Sequence, residues 1–293
     1  MSREYPLGAG TVRWTSAEWL EEHLEDDGFT IVDAQPDIHD YINEHIPGSV
    51  YFSDRLLRVH QGRNPGVWIP EEAAGMLFER AGIGSEKPVV VYTGRGSFTG
   101  SGDGLAQTML AYSLARYGHS EVWVLDGGID KWKKEGRRVE KVFPEVEKAR
   151  FKTIVHTDYY VQMNELKRIM EGGDVVLVDV RPPEVYEGQG PWLKPGHIPG
   201  AINLPWPRLM DAHNPMLLGS DENIRKVLDE AGLTGERTAV FYCGTGREAT
   251  NAYLLYRWYL GRKNVLLYEG SFTEWSSYPD NPTVTGGEPS QAG

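Results

Sequence analysis

The sequence predicts an α/β protein of two tandem domains, each a mainly parallel sheet flanked by helices. Three observations carry that prediction. Short apolar runs rich in β-branched residues alternate with stretches of helical spacing, the pattern of a parallel sheet covered on both faces. The order of elements in residues 1–140 recurs in residues 157–282, so the unit is duplicated. Several of the apolar runs stop at a polar or reactive residue, Asp33, Asp179 and Cys243, and such sheets place their sites beyond the carboxyl ends of strands.

In order, the chain opens on a loop that leads to a helix. Thr15-Ser16 can cap it, and Trp19, Leu20, His23 and Leu24 follow at helical spacing. Phe29-Thr-Ile-Val-Asp33 is a short buried strand ending in a carboxylate. Glu44-His45-Ile46-Pro47-Gly48-Ser49 leads into a second strand, Val50-Tyr-Phe52. Glu71 to Arg80 reads as a helix closed by Gly82, and Pro88-Val-Val-Val-Tyr92 as a third strand. A glycine-rich loop, Gly94 to Gly104, precedes a helix from about Leu105 to Arg116. Val122-Trp-Val-Leu125 is the fourth strand, followed by Asp126-Gly127-Gly128 and a short helix reaching Trp132.

The second copy repeats this. A helix spans about Asp158 to Met170, and Val175-Val-Leu-Val-Asp179 is a strand ending in a carboxylate. Gly196-His197-Ile198-Pro199-Gly200-Ala201 echoes His45-Ile46-Pro47-Gly48-Ser49. A helix runs from about Asp221 to Ala231, closed by Gly232. Thr238 to Tyr242 is a strand, and Val265-Leu-Leu-Tyr268-Glu269-Gly270 through Trp275 echoes Val124 through Trp132. Residues 141–156, within a charged stretch without a period, read as a linker crossing one domain surface. Residues 283–293 form a tail, with Thr285 to Gly293 expected to be disordered.

A net charge of −12 argues against nucleic acid or an anionic membrane as partner. No apolar run is long enough to span a bilayer, and Met1-Ser-Arg-Glu-Tyr-Pro-Leu-Gly8 has no apolar signal core. The chain's one cysteine excludes an internal disulfide and a multi-cysteine metal site, so no metal is expected. A cytoplasmic setting suits a lone reactive thiol.

That cysteine, Cys243, stands where a strand stops, a tight loop turns and a helix begins. Gly244 and Gly246 let successive N–H groups curl inward as an anion-binding nest. The following helix, with Leu254, Leu255, Trp258 and Tyr259 at helical spacing, adds the positive end of its dipole. Such a setting can bring a thiol from about 8.5 toward roughly 3.5–7.5, and Arg247 adds a cation. The bland alternative is a buried structural cysteine ending a strand. In the first copy Tyr92-Thr93-Gly94 aligns with Tyr242-Cys243-Gly244, so that copy lacks the thiol and is expected to be non-catalytic. Its loop, Gly94 to Gly104, is a flexible loop, a lid or interface, or a phosphate loop; no Gly-Lys-Ser/Thr supports the last.

The pattern resembles the rhodanese family, specifically its tandem-domain thiosulfate and 3-mercaptopyruvate sulfurtransferases. The resemblance spans residues 12–282 and rests on Asp33 and Asp179, the two His-Ile-Pro-Gly segments, Tyr242-Cys243 with its loop, and Glu269-Gly270 with Trp275. It implies that Cys243 is the nucleophile, taking a sulfane sulfur as a persulfide and passing it to cyanide or a thiol, with ping-pong kinetics and no cofactor. The loop Gly244, Thr245, Gly246, Arg247 and Glu248 would stabilise the anions. It implies that Arg181 binds the anionic donor, against the alternative of an ion pair with Glu184, and that Arg247 is a second donor contact. It further implies a role for Thr245 in bonding the cysteine or moving its proton. His45 stands either as an interdomain helper with Asp37 or Asp40 as its partner, or as a structural turn residue; His197 reads as structural. Partners would be a small sulfur donor and a thiol or cyanide acceptor, including a protein thiol such as thioredoxin. Thiosulfate is the first expectation for donor and 3-mercaptopyruvate the second. Glu248 departs from the family loop: it either repels a dianionic donor, faces solvent or caps the helix.

Two other readings remain. A persulfide carrier or regulatory binding module would use the same cysteine with little turnover. A phosphatase of the same fold needs Cys-x5-Arg, but here that position is Ala249. Trp68, Trp192 and Trp206 are candidates for the rim of an interdomain cleft.

Overall fold

The computed structural model describes residues 3–26 and 28–289. Met1 and Ser2, and residues 290–293 of the expected tail, lie outside the described residues.

The strands are β1 (Val12–Thr15), β2 (Thr30–Asp33), β3 (Val50–Tyr51), β4 (Arg58–Gln61), β5 (Asn64–Trp68), β6 (Val89–Tyr92) and β7 (Val122–Leu125). The second half adds β8 (Tyr160–Val161), β9 (Val175–Asp179), β10 (Ile202–Asn203), β11 (Thr238–Tyr242) and β12 (Val265–Tyr268). They build two five-stranded sheets, ordered β1-β7-β6-β2-β3 and β10-β9-β11-β12-β8. Every pairing in both is parallel. Counted from each half's first strand, the two orders are the same. Helices cover both faces, which is why β6 and β7 are buried at every position and read as unbroken apolar runs.

The equivalence reaches individual residues. Asp33 pairs in register with Tyr92, and Asp179 with Tyr242. The Ile46 N–H donates to the Tyr92 hydroxyl at 3.0 Å, and the Ile198 N–H to the Tyr242 hydroxyl at 3.1 Å. The His-Ile-Pro-Gly segments therefore tie the polar ends of two central strands to the loops beside them.

Three features differ from the sequence expectation. The opening loop contains β1, which pairs with β7. The helix expected from Asp158 is preceded by β8, which pairs with β12, and starts only at Met163. In both copies the first strand is a short edge element whose pairing outweighs its local propensity. The stretch between β3 and the helix Glu71–Arg80 holds an antiparallel hairpin, β4 with β5.

The segment 141–156 runs over the first domain's surface, held by Ala149 N–H to Glu79 O at 3.0 Å and Ile154 N–H to Tyr117 O at 2.9 Å. The expected disorder of the tail does not begin at Thr285. Val284 exchanges backbone bonds of 2.9 and 3.1 Å with His197, and Gly286 donates to Glu187 O at 3.1 Å.

One hydrophobic core runs through both domains. Its centre is the helix Ala106–Arg116, buried at every residue; it packs on Arg247–Leu254 of the second domain, with Tyr112 edge-on to Tyr253 at 5.4 Å. The helix is buried on every face although it carries Gln107, Thr108, Ser113 and Arg116, and here two domains supply the covering. Among the described residues no helix is long and apolar enough to cross a membrane.

Candidate active site

Cys243 follows β11 directly and is completely buried. The next residues form a tight turn in which Gly246 has φ +86°, and a Cβ there would lie 2.8 Å from the Glu269 carbonyl oxygen. Glycine is required on both counts. The turn aims the Gly246 N–H at the Cys243 sulfur, 3.1 Å away. The N–H groups of Ala249, Thr245 and Glu248 also bond the sulfur. The next helix to Ser277 clamps the loop from behind: Phe272 N–H donates to Cys243 O and Thr273 N–H to Gly244 O, both at 2.9 Å. Ser271 Oγ accepts the Cys243 N–H at 3.2 Å.

The nest is present, yet the thiol does not respond as expected. Burial pushes Cys243 up to about 12, the Glu248 carboxylate pushes the same way, and the N–H donors only partly offset them. The expected lowering assumed a partly exposed sulfur; a sulfur with no water pays the full desolvation of its anion.

Arg181 is buried and does not pair with Glu184. Its Nε donates to both oxygens of Asp179, at 2.9 and 3.0 Å, and its Nη2 to Asp179 Oδ2 at 2.5 Å and Gly196 O at 2.9 Å. Its Nη1 is buried without a hydrogen-bond partner. The guanidinium lies between the rings of Phe272 and Trp192, 4.2 and 4.9 Å from their centroids. Trp192 also covers the cysteine loop: a Cβ on Gly244 would stand 2.6 Å from its ring. Trp192 Nε1 donates to Thr273 Oγ1, which in turn donates to Gly244 O, each at 2.7 Å.

Arg247 reaches toward the first domain. Its Nε bonds Asp54 at 3.2 Å and its Nη1 bonds Asp103. Asp103 belongs to the Gly94–Gly104 loop, whose Arg95 also donates to His213 O at 3.0 Å. That loop is thus part of the domain interface, and Arg247 ties the cysteine loop to it. Asp40 organises the same loop through the N–H groups of Phe98 and Thr99 at 2.8 and 2.9 Å.

His45 is held by backbone and ring contacts. It is buried, its Nδ1 bonds Tyr41 O at 2.8 Å, its Nε2 bonds Val142 O at 3.1 Å, and its ring stacks on Tyr41 at 4.2 Å. Neither Asp37, which caps the helix Ile38–Asn43, nor Asp40 bonds it. His197 repeats the arrangement with Tyr186, stacked at 3.6 Å with Nδ1 2.9 Å from Tyr186 O.

One contributor was not singled out from sequence. Arg58 on β4 crosses the domain boundary and donates from Nη1 to the Thr245 carbonyl oxygen; its only sequence signal was a basic residue in an unassigned stretch. Glu269 is held by Tyr112 at 2.7 Å and by Arg116 at 2.6 and 3.2 Å. Trp68 lines a cleft of 380 Å³ beside this pair, whereas Trp206 is buried in the core.

The first domain's equivalent loop holds no thiol. Thr93 Oγ1 donates to Ala34 O at 2.8 Å. Beside it sits Met216 from the second domain, whose carbonyl oxygen accepts from Gln107 Nε2 at 3.2 Å and Gly127 N–H at 3.0 Å.

Comparison with known proteins shows the family. The family described as rhodanese-like domain matches residues 16–135 and again 162–278. A putative thiosulfate sulfurtransferase of Synechococcus elongatus is 34% identical over 94% of this chain and 86% of its own length. A sulfur carrier protein of Thermus thermophilus is 28% identical over 93% of this chain and 96% of its own. The 3-mercaptopyruvate sulfotransferase structure of SseA from Escherichia coli superposes with a TM-score of 0.77 at 24% identity, covering 88% of this chain and 98% of that one. This last likeness is one of fold.

Proposed function

The chain belongs to the rhodanese family, and on that premise we propose that it moves a sulfane sulfur from thiosulfate, or from 3-mercaptopyruvate, through a persulfide on Cys243. The acceptor is cyanide or a thiol, including a protein thiol such as thioredoxin, and a reducing cytoplasm would keep Cys243 ready. The broader class, a sulfurtransferase, is that of the named relatives.

One observation carries the reading: the Cys243 sulfur sits at the carboxyl end of β11 with the Gly246 N–H 3.1 Å away and three more loop N–H groups bonded to it. These donors suit a sulfur anion, either the attacking thiolate or the persulfide that replaces it. The thiolate attacks the outer sulfur of thiosulfate, the new S–S bond forms and sulfite leaves. An acceptor then attacks the outer sulfur of the persulfide and restores Cys243. The buried Arg181, with Nη1 unpartnered, suits the anionic donor. Arg247 is engaged by Asp54 and Asp103 and acts here by positioning the loop.

The carrier reading draws on the Thermus relative's name and on a sulfur that no solvent reaches in the closed loop. Steady-state thiocyanate release from thiosulfate and cyanide separates the two. Sustained turnover supports the enzyme; loading of Cys243 without turnover supports the carrier. The phosphatase reading has nothing further in its favour, since Ala249 takes the place of its arginine.

A further inference from the structure

We propose that Glu248 is a catalytic residue that takes the proton of the Cys243 thiol as the sulfur attacks its donor, and keeps it until the persulfide is discharged. The inference rests on the sulfurtransferase reading and deepens it by naming the base.

Glu248 lies two residues after Gly246, whose N–H is 3.1 Å from the Cys243 sulfur, and its carboxylate interacts with the Cys243 thiol and the Gly244 N–H. Glu248 lies in the first turn of the helix Arg247–Leu254, whose Glu248 and Ala249 N–H groups bond the same sulfur. Base and anion donors therefore belong to one rigid element.

The other charges around the site are already engaged. Asp179 is spent on Arg181, Asp54 and Asp103 on Arg247, and Glu269 on Arg116. Arg58 approaches from β4 and bonds Thr245 O. Of these carboxylates Glu248 is the one that interacts with the thiol. Its burial and the nearby Asp179 hold its carboxyl above the ordinary range, against the hydrogen bond from Cys243 and the charge of Arg181. That brings its basicity closer to what a general base near neutral pH requires.

The step balances. Cys243 thiol, Glu248 carboxylate and thiosulfate dianion give Cys243 persulfide anion, Glu248 carboxylic acid and sulfite dianion. The S–S bond to Cys243 forms with the sulfur's lone pair, and the electrons of the bond to the sulfonate leave with sulfite. After an acceptor removes the outer sulfur, the Cys243 thiolate recovers its proton from Glu248. Protonating Glu248 also removes a negative charge next to the persulfide, so the transfer relieves the like-charge repulsion that a permanent carboxylate would impose.

The test is the rate of persulfide loading by thiosulfate, read by rapid quench and intact mass between about pH 6 and about pH 10, for wild type, Glu248→Gln and Glu248→Asp. A general base contributes about 10²-fold or more. We expect Glu248→Gln to load about 10²-fold slower near pH 7 and to recover as the thiol ionises unaided, with Glu248→Asp between. A Glu248→Gln rate equal to or above wild type makes Glu248 a mere repelling charge and overturns the proposal, as does a deficit that is constant with pH. Should Glu248→Gln not fold, the wild-type profile decides: a plateau with an acid limb above the ordinary carboxylate range is expected, and an unbroken rise to about pH 10 overturns it. Wild type that loads with neither thiosulfate nor 3-mercaptopyruvate overturns the underlying reading, and this inference with it.

Discussion

Arg58 of the first domain donates a hydrogen bond to the backbone carbonyl of Thr245, inside the cysteine loop of the second. The cysteine loop is thus contacted by a residue from the copy that carries Thr93 in place of the cysteine. Burial pulls the Arg58 guanidinium below its ordinary value, while Asp54 and the Cys243 sulfur oppose that. The duplicated domain supplies a wall and a charge.

Replacing Arg58 by Met should therefore impair turnover although the residue lies far from Cys243 in sequence. A hydrogen bond from a charged donor is worth about 1.5–3 kcal/mol, so thiocyanate release should fall about 10-fold or more. Unchanged kcat and KM would mean that the contact does not shape the loop.

Asp54→Asn should separate anchoring from donor binding at Arg247. If Arg247 anchors the loop to the interface, Asp54→Asn and Arg247→Met should each lower stability by about 1–3 kcal/mol and leave KM for thiosulfate within a factor of about 3. Denaturant melts and initial rates measure both. A large rise in KM for Arg247→Met with unchanged stability would restore it as a donor contact.

Trp192 lies on both Gly244 and Arg181, so it governs access to a buried sulfur. Trp192→Ala should speed alkylation of Cys243 by iodoacetamide about 10-fold or more, since reaction then tracks a more populated open loop. Mass spectrometry follows the adduct; an unchanged rate would put the barrier elsewhere.

Asp33 gives a pH test in the first domain. Burial raises its carboxyl to about 6, against bonds from Tyr92 and Gln35. Its folded value exceeds its unfolded one, so its contribution is complete below about pH 4 and is lost as pH rises through about 6. The loss is of order 3 kcal/mol. Stability of wild type relative to Asp33→Asn should fall by that order between about pH 4 and about pH 7 in urea titrations, and a pH-independent difference would contradict it.

What could be read from the sequence follows from which forces act locally. Tyr242-Cys243 and Gly244-Thr-Gly246 carry a strand end and a tight turn in adjacent residues, so the loop was legible. The duplication made Asp33 and Asp179 legible in the same way. β1 and β8 were not, because two to four residues at a sheet edge gain their stability from β7 and β12, far off in the chain. Arg58 was not assigned to the loop because only the docking of the first domain brings it to Thr245, and Trp192 because only the folding of its own domain lays it on Gly244. His45 was left open between an interdomain and a structural role because its ring's partners, Tyr41 O and Val142 O, are backbone atoms that no sequence pattern marks. The thiol's response was misjudged because a nest was visible in sequence and the complete burial of the sulfur was not.

The central claim is a persulfide on Cys243, and the most direct measurement is intact mass after incubation with thiosulfate, and separately with 3-mercaptopyruvate, for wild type and Cys243→Ser. The account predicts that wild type gains one sulfur, that cyanide removes it as thiocyanate, and that Cys243→Ser gains none. No added sulfur on wild type from either donor, or an equal gain on Cys243→Ser, would contradict it.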